Sequence, residues 1–240
     1  MMPGTILVVE DEILLREIVA EWLEFEGYKV FPAQDGEAAL RLAEANPIDV
    51  IVTDMRMPVL DGLGFLKRLR TSLQRVPPTL LMSGFSGKTL REAYDVGIEV
   101  ALAKPFTDHQ LLSAVQRLLT PRRDRWQMKD SRVPRQNLQA TFTRLSSARA
   151  QGLLAFGSGG FCLRSTDPFR TGPIQFDLHF TGDNLRFTGQ GLVQWIEAEE
   201  AQMGVEITGL EAHCIAHVDE LTAAAAARGY IPRSVLAIRD

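Results

Sequence analysis

The chain has 240 residues, 45% hydrophobic and 23% charged, with a formal net charge of -4 at pH 7. That composition excludes global disorder and collagen-like repeats, fits one or two domains, and is too mildly charged to argue for nucleic acid by itself. Short, interrupted apolar runs exclude a spanning helix, the start Met1-Met2-Pro3-Gly4 lacks a signal peptide's basic and apolar regions, and the separated Cys162 and Cys214 fit a reducing, cytoplasmic setting.

In chain order, residues 6–9 form a short apolar run that ends in acids, which predicts a strand. Ile13, Leu14, Ile18, Trp22 and Phe25 then recur at helical spacing until Gly27 stops them. A strand at Val30-Phe31 and an Ala-rich helix over 36–45 follow. Residues 48–52 read as strand, 62–69 as helix, 79–83 as strand and 89–96 as helix. A last strand over 100–103 and helix over 107–119 complete five strand and helix pairs. Such alternation predicts a doubly wound, five-stranded parallel α/β sheet covered on both faces.

The character changes after Pro121. Residues 1–121 hold 12 Lys+Arg and 17 Asp+Glu, whereas residues 122–240 hold 14 and 13. The stretch 122–135 alone holds six basic and two acidic residues. This predicts an acidic domain over 1–121, a basic linker over 122–131 and a second domain over 132–240. Strand-like segments at 138–145, 153–156, 161–164, 174–180, 185–195 and 203–207 alternate with Gly, Pro, Asn and Asp turns. They predict a small antiparallel all-β barrel, and the Ala-rich stretch 217–228 predicts a terminal helix.

Polar residues in the first half fall at predicted strand ends: Glu10 and Asp11, Asp54, Ser83 and Lys104. In a parallel α/β sheet those ends converge on one crevice. Clustered carboxylates repel one another, and a hard divalent cation removes that penalty. A lysine ammonium and a serine hydroxyl suit the oxygens of a phosphoryl group.

These residues stand in Val8-Val9-Glu10-Asp11-Glu12, Thr53-Asp54-Met55-Arg56-Met57-Pro58 with Asp61-Gly62, Met82-Ser83-Gly84 and Lys104-Pro105-Phe106. Together they resemble the receiver domain of two-component response regulators, whose fold is flavodoxin-like, across roughly residues 3–121. The resemblance implies Asp54 as phosphoacceptor and Glu10, Asp11 and Asp54 as acids of a Mg²⁺ site that also admits Mn²⁺. It implies a further metal contact from the backbone carbonyl of Arg56, and phosphoryl contacts from Ser83 and Lys104. It also implies a sensor histidine kinase or phosphotransfer protein as donor. One departure is Ala101, which stands where receivers usually carry an aromatic residue that flips with the Ser/Thr; Phe85 or Tyr94 would have to substitute.

In the second half, Gly159-Gly160-Phe161-Cys162-Leu163, Gly191-Leu192-Val193-Gln194-Trp195, Met203-Gly204-Val205-Glu206-Ile207 and the entry Ser131-Arg132-Val133-Pro134-Arg135 resemble a PilZ domain over about residues 131–212. PilZ domains commonly bind cyclic di-GMP through an RxxxR arm and a [DN]xSxxG strand. Here Arg132 and Arg135 are three apart, and four-residue spacing pairs Ser131 with Arg135, Arg132 with Gln136 or Arg125 with Lys129. Ala155 and Gly157 replace the acid or amide and the serine of the strand, with Ser158 one position off. Alanine supplies no guanine hydrogen bond, so weak or no dinucleotide binding is expected, led if anywhere by Arg132 and Arg135.

His213, Cys214 and His217 lack a fourth nearby ligand and read as helix residues rather than a zinc site. Cys162 reads as core. No recognition-helix pattern follows residue 121, so direct DNA binding is not expected, and no nucleophile–base set suggests an enzyme. The reading is a response regulator signalling through a divergent PilZ-like protein-interaction domain to an unspecified downstream protein. A cyclic di-GMP sensor and a non-cycling structural adaptor are its competitors.

Overall fold

The computed structural model describes residues 4–73, 76–84, 87–127, 133–223 and 229–235. The chain forms two compact units, one of Met1–Thr89 with Val96–Thr120 and one of Leu90–Asp95 with Pro121–Asp240. Among the described residues no helix is long and apolar enough to cross a membrane.

The first unit is a five-stranded sheet in the order β2-β1-β3-β4-β5, built from β1 (Thr5–Val9), β2 (Lys29–Ala33), β3 (Val50–Asp54), β4 (Thr79–Ser83) and β5 (Ile98–Ala103). Every strand pair is parallel. The alternating helices are α1 (Ile13–Phe25), α2 (Gly36–Ala45), α3 (Gly62–Ser72), α4 (Gly87–Val96) and α5 (Asp108–Leu119). The strands are continuous apolar runs because both faces are covered; β3 is buried at all its positions. Ile6, Val8, Val50, Val52, Leu80 and Met82 pack with Val19 and Leu23 of α1 and Leu111, Val115 and Leu118 of α5. Each fully buried side chain of this kind contributes about 1.5–3 kcal/mol. Pro32 is tolerated because β2 is an edge strand, where one missing ladder donor costs little.

Local signals stop and start these helices. Asp35 accepts from Ala38 N–H at 2.8 Å and Asp61 from Gly64 N–H at 2.6 Å. Thr107 and Gln110 form a reciprocal capping box on α5. Each satisfies amides that a helix start otherwise leaves unpaired.

The second unit carries a six-stranded, half-barrel sheet in the order β6-β9-β10-β11-β8-β7. Its strands are β6 (Gln136–Phe142), β7 (Leu154–Phe156), β8 (Gly160–Arg164), β9 (Gly172–Phe180), β10 (Leu185–Glu197) and β11 (Gln202–Leu210). The sheet departs from the antiparallel expectation at one pair: β6 lies parallel to β9. The chain between them passes through α7 (Leu145–Ala150), β7 and β8, and a crossover of that length returns in the same direction. Alternation along β9 turns Ile174, Phe176, Leu178 and Phe180 inward. There Phe156, Phe161, Phe176 and Phe187 make successive ring contacts with centroids 5.3–5.8 Å apart.

Two further expectations are corrected. The basic stretch expected as a linker over 122–131 contains α6 (Arg122–Gln127), because Trp126 is buried and its indole N–H donates to the Ile207 carbonyl at 3.0 Å. Tertiary burial of one aromatic outweighs a polar local composition. The terminal helix α8 spans Ala212–Ala223, five residues ahead of the expected start, and residues 224–228 of the expected helix lie outside the described residues.

Candidate functional site: an acidic pocket with one lysine

Strand order reverses between β1 and β3, so the loops leaving their carboxyl ends part and open a crevice. β1 delivers Glu10 and Asp11 there, β3 delivers Asp54, and β5 delivers Lys104. Carboxylate oxygens of Glu10, Asp11 and Asp54 lie within 4.8 Å of one another. Glu10 and Asp54 are buried and Asp11 is exposed. The Lys104 ammonium bridges the two buried acids, at 2.8 Å from Glu10 Oε2 and 2.5 Å from Asp54 Oδ1. The backbone N–H of Arg56 donates to Asp54 Oδ2 at 2.7 Å.

The backbone around Asp54 is tightly fitted. Gly62 opens α3 directly against it, and a Cβ at Gly62 would stand 2.1 Å from the Asp54 carbonyl oxygen. The Thr53 hydroxyl donates to that same oxygen at 2.9 Å. Glycine at 62 and a small hydroxyl at 53 thus let helix and strand close on the acid.

Burial raises Glu10 above the ordinary carboxylate range; the Lys104 hydrogen bond opposes this, and the charge of Asp54 adds to it. Burial alone would lower Lys104, but its hydrogen bonds to Asp54 and Glu10 and their charges outweigh that and raise it. The cluster is therefore short of positive charge, and Lys104 is held firmly as a cation.

The structure brings together Glu10, Asp11, Asp54, Lys104 and the Arg56 backbone. Ser83 closes β4, paired with Ala103 of β5, and its side chain lies outside the described set. Phe85 also lies outside the described residues. Ala101 pairs with Leu81, and Tyr94 is buried.

Sequence reasoning passed over Arg16. Its guanidinium donates to the carbonyls of Glu10 and Asp11 at 2.6 and 3.3 Å, tying the β1–α1 loop to the helix. The signal was present, since Arg16 is the sole cation in α1. Val59, on the loop after Asp54, was passed over too. It is 80% exposed and adopts φ 66°, a left-handed conformation disfavoured for a β-branched residue. Left-handed backbone costs an L residue about 1–2 kcal/mol and glycine's added chain entropy costs about 0.5–1, so Val59→Gly is expected to stabilise the unit by roughly 0.5–1 kcal/mol in denaturant unfolding. A destabilised variant would contradict this.

In the second unit, Arg132 and Lys129 lie outside the described residues. Arg135 is exposed and lines a cleft of about 780 Å³ with Arg170 and Val133. Gln136 fixes this arm by exchanging two hydrogen bonds with the Arg170 backbone, at 2.8 and 2.7 Å. Ala155 is buried in β7 opposite Cys162. Ser158 and Gly159 donate their amides to the carbonyls of Gly229 and Tyr230. Cys214 is buried, whereas His213 and His217, expected to be partly buried, are exposed. Buried Cys162 has its thiol pushed well above its usual range by burial, as an inert core cysteine would.

The family model of the response regulator receiver domain matches residues 6–116. These residues form a response regulator receiver domain. The transcriptional regulatory protein PdtaR of Mycobacterium tuberculosis is 35% identical over 117 residues, 48% of this chain and 56% of that protein. Response regulator MprA of Mycobacterium sp. (strain KMS) is 39% identical over 118 residues, 49% of this chain and 51% of that protein. The chain spans about half the length of the curated relatives it matches. Among solved structures, the chemotaxis response regulator CheY4 of Vibrio cholerae is 36% identical, covering 49% of this chain and 99% of that one, with a TM-score of 0.46. The receiver domain of the sensor histidine kinase PA1611 of Pseudomonas aeruginosa, solved with magnesium in its active site cleft, is 32% identical over 49% of this chain and 98% of that one, with a TM-score of 0.45. All of these matches concern about half of this chain.

Proposed function

We propose that this chain is a two-component response regulator that accepts a phosphoryl group on Asp54 and signals through protein contacts of its divergent PilZ-like second unit. The observation that carries the reading is the shared Lys104 ammonium, seated between the buried carboxylates of Glu10 and Asp54 with Asp11 alongside.

A carboxylate is a poor nucleophile toward a phosphoryl group because like charges repel. The site works by neutralising and positioning. An Asp54 oxygen attacks phosphorus, the bond to the donor's leaving group breaks with its electron pair, and an acyl phosphate remains. Lys104 stabilises charge on the transferring oxygens, and the Arg56 amide holds the second Asp54 oxygen in place. The three-acid set fits a hard cation with oxygen ligands, held by Glu10, Asp11 and Asp54 with the Arg56 carbonyl as a fourth candidate. Bound Mg²⁺ would supply the positive charge that Lys104 alone does not.

The donor must bring its phosphoryl group into this crevice, so the crevice rim is its landing surface. Ile13 (60% exposed) and Leu14 (68%) follow the acids directly, and Val59 follows Asp54. These exposed apolar side chains suit a histidine kinase or phosphotransfer protein. Downstream, Ser83 leads by chain continuity into α4, whose residues Leu90–Asp95 cluster with the second unit. A shift of the Ser83 loop toward new phosphoryl oxygens would be the local switch movement. The chain acts as an acceptor and switch rather than as an enzyme. The dinucleotide-sensor alternative is disfavoured, because Ala155 offers no polar side chain and the Ser158 and Gly159 amides are engaged within the chain.

The test is intact mass after incubation with Mg²⁺ and acetyl phosphate, with the modified residue located after proteolysis. One phosphoryl group on Asp54, dependent on Mg²⁺, is expected; none at all would favour the non-cycling adaptor. Because metal ligands must be deprotonated and Glu10 lies above its ordinary 4.5, Mg²⁺ affinity should begin to fall on acidification while the pH is still above 4.5. Calorimetric affinities that stay flat down to that pH would contradict the placement of Glu10 in the site.

A further inference from the structure

We propose that β6 (Gln136–Phe142), an edge strand of the second unit, is a self-association surface that pairs antiparallel with β6 of a second copy of this chain, about a two-fold axis at Gln139. The inference is independent of the phosphoryl reading, since the whole strand lies in the second unit.

β6 is bonded on one side. It runs parallel to β9 along its whole length without a bulge, and the ladder ends where the Phe142 carbonyl accepts from Thr181 N–H at 3.0 Å. Alternate residues of a strand bond to the same neighbour, so Leu138, Ala140 and Phe142 bond to β9. The N–H and C=O groups of Asn137, Gln139 and Thr141 point to the other edge, and among the described residues no hydrogen bond meets them. Such an edge templates further pairing, and proteins ordinarily blunt it with charge, proline, a bulge or brevity. Other edges of this chain are blunted in these ways. β2 carries Lys29 and Pro32, β5 meets β4 through a register shift, and β7 has only three residues. β6 has none of these devices: its sequence Gln-Asn-Leu-Gln-Ala-Thr-Phe holds no charge, glycine or proline.

The strand is also its own complement. Centring two antiparallel copies on Gln139 sets each Gln139 opposite the other, and Asn137 opposite the partner's Thr141 on either side. These are the residues whose backbone groups point outward, so every opposed pair exchanges both of its hydrogen bonds. Their side chains are exposed and uncharged, so amide meets amide and amide meets hydroxyl with no like charges opposed. On the inner face, buried Leu138 comes opposite the partner's partly buried Ala140, which continues the apolar core across the axis. A foreign strand could take the backbone bonds, but self-pairing needs no other partner and closes on itself, leaving neither copy with an open β6 edge. One short strand pair covers little area, so the dimer is weak and concentration-dependent.

Sedimentation of the full-length chain over a concentration series reads the association. Gln139→Lys and Gln139→Glu, both at an exposed side chain that the fold does not need, should each weaken it at least about fivefold, because like charges then face each other across the axis. An equimolar mixture of the two variants should restore it, since lysine then meets glutamate. Disulfide formation reads the register. Directly opposed residues stand about 5.5 Å apart at Cα, within disulfide reach, so Gln139→Cys should cross-link copies under mild oxidation. Asn137→Cys, about 13 Å from its own counterpart, should not. Cys162 and Cys214 are buried and do not compete. Charge variants that associate like the wild type, a mixture that fails to restore association, or equal behaviour of the two cysteine variants overturns the proposal. A chain that stays monomeric at every concentration overturns it too, and leaves the edge to a foreign strand or to none.

Discussion

Asp54→Asn is expected to take up no phosphoryl group from acetyl phosphate and Mg²⁺ under conditions in which the wild-type chain takes up one. The substitution keeps the shape and removes the nucleophile. The amide oxygen can still accept from Arg56 N–H, as Asp54 does at 2.7 Å, so the β3–α3 loop keeps its main anchor. It loses the negative charge that meets Lys104 at 2.5 Å, and Glu10 keeps the lysine in place. The fold should therefore survive while the chemistry stops. Lys104→Met is the informative companion. It leaves the nucleophile and removes a positioned cation, which elsewhere is worth about 10²–10³ in rate for a comparable stabilising donor. Uptake should then be slow but measurable in single-turnover mass measurements. Normal uptake by Asp54→Asn, or an unaltered rate in Lys104→Met, would remove the basis of the functional reading.

Phe176→Ala should cost the second unit about 3–5 kcal/mol, the range for deleting a buried phenylalanine. Phe176 is fully buried, meets Phe161 edge-on at 5.3 Å and stacks on Phe187 at 5.7 Å. These ring neighbours stand on two different strands, β8 and β10, so they cannot both collapse into the void. Domains are commonly stable by only 5–15 kcal/mol, so the loss would bring this unit near its threshold. Denaturant unfolding followed by the fluorescence of Trp126 and Trp195 reads it directly. A loss under about 1 kcal/mol would mean that the ring cluster is not the core that holds the sheet.

The first unit and its site were legible in the residues because their information is local. Apolar runs such as Ile6-Leu7-Val8-Val9 need only be buried on both faces to be strands, and the acids and lysine follow strand ends directly. In the second unit alternation marked the strands, but Ile174, Phe176, Leu178 and Phe180 alternate in the same way whichever direction the neighbour runs. Only the three-dimensional chain path made β6 parallel to β9. The helical state of residues 122–127 was likewise decided by where Trp126 could be buried. The partnership of Gly159 with Tyr230 was invisible for the same reason: neither residue carries a local sign of the other, and long-range packing alone sets ring against backbone. Sequence by itself determined where charge and apolar surface sit along the chain; tertiary structure decided which distant groups meet, because that choice depends on shape and burial rather than on neighbours in the chain.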